Sequence, residues 1–317
     1  MRQEGAAARH SVVSLRGVSK RFGARTAVDA LDLEVPQGIC FGLLGPNGAG
    51  KTTSLRMIYG VTRPSAGSVR VFGLEVAREA RAVRARLGVT LQENVQIESL
   101  SPTDNLRIFG RYHLLDGARL ADRVEALLDF LELRSHADVP VSALSGGFQR
   151  RLAIAMSLIN EPELLILDEP TTGLDPAVRL ALWSRVRELR AGGTSVLLTT
   201  HYMDEAERLC DRVAIMSEGR AVADGSPREL VARYVRPEAL ELDCTPQEEA
   251  SLLADGDRDW QRLRTGQRLV VYADEASAVA ERIRKRDGGD RRPLVIRPSN
   301  LEDVFLAATG TKLEEHP

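Results

Sequence analysis

Ile39-Cys40-Phe41-Gly42-Leu43-Leu44-Gly45-Pro46-Asn47-Gly48-Ala49-Gly50-Lys51-Thr52-Thr53 is the stretch on which the reading of this chain turns. Residues 39–44 are a short apolar run followed at once by glycines, the pattern of a buried strand that feeds a loop. In that loop Gly45 and Gly50 are followed by Lys51 and Thr52, which fits the phosphate-loop pattern. Glycines let the main chain turn tightly enough for successive amides to converge on an anion. A helix predicted over 51–60 adds the positive end of its dipole, roughly half a charge. Lys51 then brings a full charge to the β- and γ-phosphates of a nucleotide, and Thr52 places a hydroxyl on Mg²⁺.

Two further stretches answer to this loop. Leu164-Leu165-Ile166-Leu167-Asp168-Glu169 is an apolar strand ending in two acids. Side chains at the carboxyl end of a parallel strand face the ligand crevice. Asp168 can therefore join the Mg²⁺ shell, and Glu169 can polarise an attacking water. The second stretch, Leu144-Ser145-Gly146-Gly147-Phe148-Gln149, precedes a helix carrying Leu152, Met156 and Ile159 on one face. Ser145, Gly146 and Gly147 read either as an ordinary helix cap or as a second anion site made of bare amides and a dipole. One nucleotide does not need two such sites from one chain.

Around these motifs the apolar pattern alternates between strand and helix periods. Strands are predicted at 12–16, 30–35, 39–44, 68–72, 89–92, 164–167 and 195–200, with a hairpin of 213–216 and 221–223 around Glu218-Gly219. Helices are predicted over 178–189 and 203–209. A helix start is written at Ser101-Pro102-Thr103-Asp104, with the serine at the N-cap and the proline at the first helical position. The reading is an α/β fold: a P-loop NTPase core of mostly parallel strands, an antiparallel β subdomain and an inserted helical subdomain at about 93–160. A boundary falls between Pro227 and Pro237. Beyond it, strands at 239–242, 269–272 and 294–297 and helices at 276–284 and after Ser299 form a small C-terminal α/β domain. There Ser299 and Glu302 read as a capping box and Gly310 as the stop. The expected organisation is a tail at 1–11, the ATPase domain at 12–236, the small domain at 237–310 and a tail at 311–317. Because the motifs all lie before Met216, residues 12–236 are expected to fold alone.

Composition narrows the class. The chain has 317 residues, 43% of them hydrophobic, and a formal net charge of -2, so no overall basic excess argues for nucleic acid. Three cysteines without paired spacing suggest a reducing compartment. The first ten residues lack an apolar segment of signal-peptide length. The longest apolar runs are too short for a bilayer, which takes about 20 residues. The expectation is a soluble chain whose membrane role, if any, comes through a partner.

Residues 12–225 resemble the nucleotide-binding domain of ATP-binding cassette (ABC) transporters. The phosphate loop, 144–149 and 164–169 are similar to the family's Walker A, signature and Walker B motifs, in the family's order. Gln92 resembles the Q-loop glutamine, Gly173-Leu174-Asp175 the D-loop, His201 the switch histidine, and Phe22, in Lys20-Arg21-Phe22-Gly23, the aromatic that stacks on adenine. Phe148 departs from the glutamine that many members carry there, outside the Ser-Gly-Gly core.

This resemblance implies an ATPase with ATP and Mg²⁺ as cofactors. ATP would be cradled by Phe22, Gly45, Pro46, Asn47, Gly48, Ala49, Gly50, Lys51, Thr52 and Thr53. Thr52, Gln92 and Asp168 would hold the metal, and Glu169, His201 and Gln92 would be catalytic. It further implies a head-to-tail homodimer, or a heterodimer with a related ATPase. Ser145, Gly146 and Gly147 of one chain, with Asp175, would close on the γ-phosphate bound at Lys51 of the other. Residues 93–143 would dock on a separate transmembrane permease at the cytoplasmic face of the membrane; Phe109 and Tyr112, three apart on one helix, read either as an anchor for it or as core packing. Residues 97–115, 201–227 and 298–306 are similar to the branch of drug, antibiotic self-resistance and lipo-oligosaccharide exporters. A soluble ABC protein of ribosomes or DNA is the competing class. The single cassette, and the absence of heptads or a cysteine cluster between Lys51 and Ser145, speak against it. An importer ATPase would be expected to carry a β-barrel tail instead of alternating strands and helices.

Overall fold

The computed structural model describes residues 11–93, 95–253, 260–289 and 292–309. The tails expected at either end and the stop at Gly310 lie outside these residues, except Ser11, which opens the first strand. Two twelve-residue strands, β1 (Ser11–Phe22) and β2 (Arg25–Pro36), form a hairpin paired from Ser11↔Pro36 to Phe22↔Arg25. Alternation sends Leu31, Leu33 and Val35 of β2 inward, and a register shift around Ala30 brings Val28 to the same face. β3 (Cys40–Leu44) is buried over all five residues, and each large apolar side chain there contributes about 1.5–3 kcal/mol of burial.

The chain continues through α1 (Lys51–Ile58), β4 (Ala66–Val71), β5 (Leu74–Glu75), α2 (Val76–Ala85) and β6 (Leu87–Thr90). The helical insertion follows with α3 (Pro102–Tyr112), α4 (Gly117–Phe130) and α5 (Gly146–Ser157). Ser101 caps α3 as expected, accepting a hydrogen bond from the Asp104 amide. Then come β7 (Leu164–Asp168), α6 (Pro176–Ala191), β8 (Ser195–Thr200), α7 (Met203–Leu209), β9 (Arg212–Ser217) and β10 (Arg220–Gly225).

Two sheets result. The antiparallel one has the order β2-β1-β4-β5. The other has the order β10-β9-β3-β8-β7-β6, with β3 parallel to both β8 and β9, and β7 parallel to β6 and β8. The carboxyl ends of β3 and β7 therefore open on the same side. Val13, Leu15, Leu31, Phe41, Leu43, Leu55, Ile58, Ile166 and Leu197 share one core between the sheets and α1.

Against β6 the helix α5 comes very close. A Cβ on Gly88 would stand 2.0 Å from the carbonyl oxygen of Ser157, the last residue of α5. Gly88→Ala is therefore expected to cost about 1–3 kcal/mol, the usual range for overpacking a fixed backbone. A thermal melt of the variant checks this, and an unchanged midpoint would contradict so close an approach.

The chain divides into two compact units, residues up to 221 and residues from 222 onward. This division lies before the boundary expected between Pro227 and Pro237. The stretch read as a boundary is instead helix α8 (Pro227–Tyr234), closed by a Ser226–Glu229 capping box. The second unit continues with β11 (Glu238–Asp243), α9 (Pro246–Leu252), β12 (Gln261–Thr265), β13 (Arg268–Ala273), α10 (Ala276–Arg286), β14 (Val295–Pro298) and α11 (Leu301–Thr309). Its antiparallel sheet runs β12-β13-β11-β14, the split βαβ arrangement. Leu240, Leu242, Leu269 and Val271 pack under Val279, Ala280 and Ile283 of α10. The α11 cap sits one residue later than expected: the Asn300 and Asp303 side chains accept from each other's amides. Asp303 also accepts from Tyr272 and Arg297, so its aspartate fits N3 better than Glu302. α8 packs with α11, which draws it into the second unit.

Candidate functional site

The loop between β3 and α1 has a conformation that only its glycines permit. Gly45 has φ 150° and Gly50 φ 102°. A Cβ on Gly45 would stand 2.3 Å from the Met216 carbonyl oxygen, and one on Gly50 2.5 Å from that of Ala27. No side chain caps α1 at Gly50, which leaves its first amides free for an anion. Lys51 is 5% exposed. Its Nζ donates to Gly45 O at 2.7 Å and Pro46 O at 3.1 Å and lies 3.6 Å from Glu169 Oε1. Burial holds the Lys51 ammonium below the usual lysine range, while Glu169 and Asp168 pull the other way.

The two acids at the end of β7 behave differently. Asp168 is buried and accepts from Thr52 Oγ1 at 3.2 Å and from Thr199 Oγ1 at 2.5 Å. Glu169 turns into the left-handed region, φ 47°, a strained backbone for a residue with a Cβ. Its amide donates to Thr199, and Thr172 Oγ1 donates to its Oε2 at 3.2 Å. His201 Nδ1 lies 3.2 Å from the same oxygen. The His201 ring is the chief reason the Glu169 carboxyl sits below the usual glutamate range; burial opposes it and Lys51 assists.

A cavity of about 480 Å³ gathers Phe22, Asn47, Gly48, Gly50, Lys51, Thr52, Thr53, Gln92 and Glu169. Gly45, Pro46 and Ala49 form the loop's underside, through the Lys51 bonds and an Ala49 amide bonded to Pro46 O. Phe22 is 53% exposed, with the Lys20 ammonium 4.9 Å from its ring centre. Two lining residues escaped the reading of the sequence, Arg25 and Ala27. The signal for Arg25 lies in the hairpin register, which sets it opposite Phe22 at the tip.

Asp168 and His201 are not in the lining but touch it, through Thr52 and Glu169, whereas Ser145, Gly146, Gly147 and Asp175 stand apart from it. Ser145, Gly146 and Gly147 stand at the start of α5, and the Ser145 side chain makes no cap bond to its own helix. Asp175 caps α6, accepting from the amides of Ala177 and Val178 at 3.0 Å. Among the described residues no group of three or more His, Cys, Asp and Glu could hold a metal by itself. The hydroxyl–carboxylate pair of Thr52 and Asp168 suits a hard cation that takes its remaining oxygens from a nucleotide and water.

The ABC transporter family profile matches residues 28–172, from β2 through the Glu169 turn. The Nod factor export ATP-binding protein I of Ralstonia nicotianae is 42% identical over 309 residues, 96% of this chain and 95% of that protein. Its counterpart in Paraburkholderia xenovorans is 44% identical over 302 residues, 94% of this chain and 97% of that protein. The chain is an ATP-binding subunit of the ABC transporter family. ABC ATP-binding domains hydrolyse ATP to power transport, so this subunit is an ATPase. Among solved structures, a dimeric ATP-binding cassette in a post-hydrolysis state, bound to ADP and Pi, is 25% identical. It has a TM-score of 0.63 and covers 68% of this chain and 98% of that one. ABC ATPase subunits dimerise and work with a transmembrane permease.

Proposed function

We propose that two copies of this subunit, or one copy and a related ATPase, close head to tail around two ATP molecules and drive a separate permease that exports its cargo. The observation that carries this reading is Ser145. Its side chain caps nothing in its own chain, and its helix start lies outside the cavity that the phosphate loop serves. A phosphate presented by a second chain would give those free amides a ligand. ATP would stack on Phe22 and lie along Gly45–Thr53. Mg²⁺, held by Thr52, Asp168 and Gln92, would neutralise charge between the β- and γ-phosphates. Glu169 would accept the proton of the attacking water, with His201 beside it, and Asp175 would meet the opposing chain.

Export is favoured over import by the relatives, whose names record Nod factor export. The cargo is proposed to be a drug-like, antibiotic or lipid-linked compound. Among the described residues no helix is long and apolar enough to cross a membrane. Attachment at the cytoplasmic face would come through the helical insertion. There Tyr112 is 75% exposed with its ring edge-on to half-buried Phe109, and Leu114 nearby in the chain is 88% exposed.

The test is crosslinking. In a chain with Cys40, Cys210 and Cys244 replaced, Asn47→Cys and Ser145→Cys should join two chains, only with nucleotide, and most strongly alongside Glu169→Gln. Disulfides need Cα atoms within about 7 Å, so a flexible bifunctional reagent is run in parallel. A band at twice the monomer mass is expected. No band with either reagent, while ATP is demonstrably bound, would remove the homodimer and turn attention to a related ATPase as the opposing chain.

A further inference from the structure

Arg150 is a buried arginine that spends its donors on main-chain oxygens. It stands in the second turn of α5, three residues after Gly147, and is 7% exposed. Nε donates to Pro170 O at 2.8 Å, Nη1 to Leu91 O at 2.6 Å, and Nη2 to Asp168 O at 2.9 Å and Glu169 O at 3.1 Å. One planar guanidinium thus ties three segments together: the helix that begins with the signature residues, the strand end immediately before Gln92, and the turn through both acids. A lysine could not make this set of bonds, because its donors radiate from one nitrogen and lack the rigid fork.

The position of these bonds gives them a purpose. Glu169 sits in the left-handed region, a conformation that persists only where the surroundings over-determine it. Arg150 grips the carbonyls of Glu169 and of both its neighbours. Burial lowers the Arg150 guanidinium to about 10, with Asp168, Glu205 and Glu169 opposing the shift, so it keeps its charge at neutral pH.

We propose that Arg150 is a positioning residue for hydrolysis: it sets the Glu169 turn and the approach to Gln92 against the start of α5, so that movement of α5 moves the base. This rests on the reading of Glu169 as the group that accepts the water proton. A misplacement of about 1 Å in a catalytic group can cost about 10²-fold in rate. The effect should fall on turnover, because Arg150 does not line the nucleotide cavity.

The experiment uses the full chain and measures steady-state ATP hydrolysis, the Kd of a fluorescent ATP analogue and the thermal midpoint. The variants are Arg150→Lys, Arg150→Gln, Glu169→Gln and the double variant Arg150→Lys with Glu169→Gln. Arg150→Lys should lower kcat about 10-fold to 10²-fold and leave KM and Kd within about threefold. Arg150→Gln should lower kcat further, and if it does not fold, the lysine variant carries the test. In the Glu169→Gln background the lysine substitution should cost no further residual turnover, since the group it positions is already disabled. Arg150→Lys turnover within about twofold of wild type would overturn the proposal, as would an equal loss in both backgrounds or a rise in Kd that matches the fall in kcat. Wild-type turnover by Glu169→Gln alone would instead remove the base, and the proposal with it.

Discussion

Glu169→Gln is expected to abolish turnover while ATP still binds. The amide fills the same space at the end of β7, but it is a far poorer acceptor for a proton from water. General-base catalysis of this kind is worth about 10²–10⁴-fold, and kcat should fall by that amount. Phosphate release measures the loss, and size-exclusion with ATP and Mg²⁺ should show a persistent dimer. Normal turnover, with only monomer in the column, would mean that Glu169 is not the base. The same substitution has a signature in stability. The Glu169 carboxyl sits below its ordinary range. Its charged form therefore stabilises the fold above the unfolded value of about 4.3, and that contribution is lost as pH falls through the folded value. Wild type and Glu169→Gln should differ in stability at neutral pH and converge in acid.

Lys51→Ala is expected to remove nucleotide binding. Lys51 is the buried cation of the phosphate loop, and its substitution would leave the β- and γ-phosphates without their counter-charge. Truncating one partner of a buried, hydrogen-bonded charge pair costs about 2–5 kcal/mol, roughly 30-fold to several thousand-fold in Kd. Titration with a fluorescent ATP analogue reads this directly. Near wild-type affinity and turnover in the purified variant would remove Lys51 from the site.

Most of what positions the site could be read from local pattern, for reasons of burial. β3, β7 and β8 are buried along their whole length, and a strand covered on both faces reads as a near-continuous apolar run, broken here only at the ends by Asp168, Ser195, Thr199 and Thr200. The phosphate loop announces itself because glycine alone tolerates both its φ values and its close neighbours. α2 was invisible for the opposite reason. Only Val76 and Val83 are buried in it, so arginines and alanines hide any apolar stripe. α8 carried a full capping box at Ser226 and Glu229, but Pro227 there reads equally well as a break. β12 is nowhere fully buried, and its residues gave no alternation to find. The pairing of Glu169 with Lys51 and His201, its left-handed backbone and the four carbonyls around Arg150 are products of tertiary approach. No local rule connects residues so far apart in the chain.

The division between the two compact units falls inside β10, and this governs how the ATPase unit could ever be studied alone. A chain ending at 221 would keep only the first residues of β10, turning β9 into a raw sheet margin with unpaired amides and carbonyls. Such a margin is a template for pairing with neighbouring molecules, so the expected product is a fibrillar or amorphous precipitate. A chain ending at 236 would keep that margin covered but strip α8 of its companion α11, presenting apolar surface to water. Neither end point is the exposed, loosely held segment at which chains are ordinarily cut without harm. The stop that avoids both faults lies between the two elements: a chain ending at 225 keeps β10 whole and carries no bare α8.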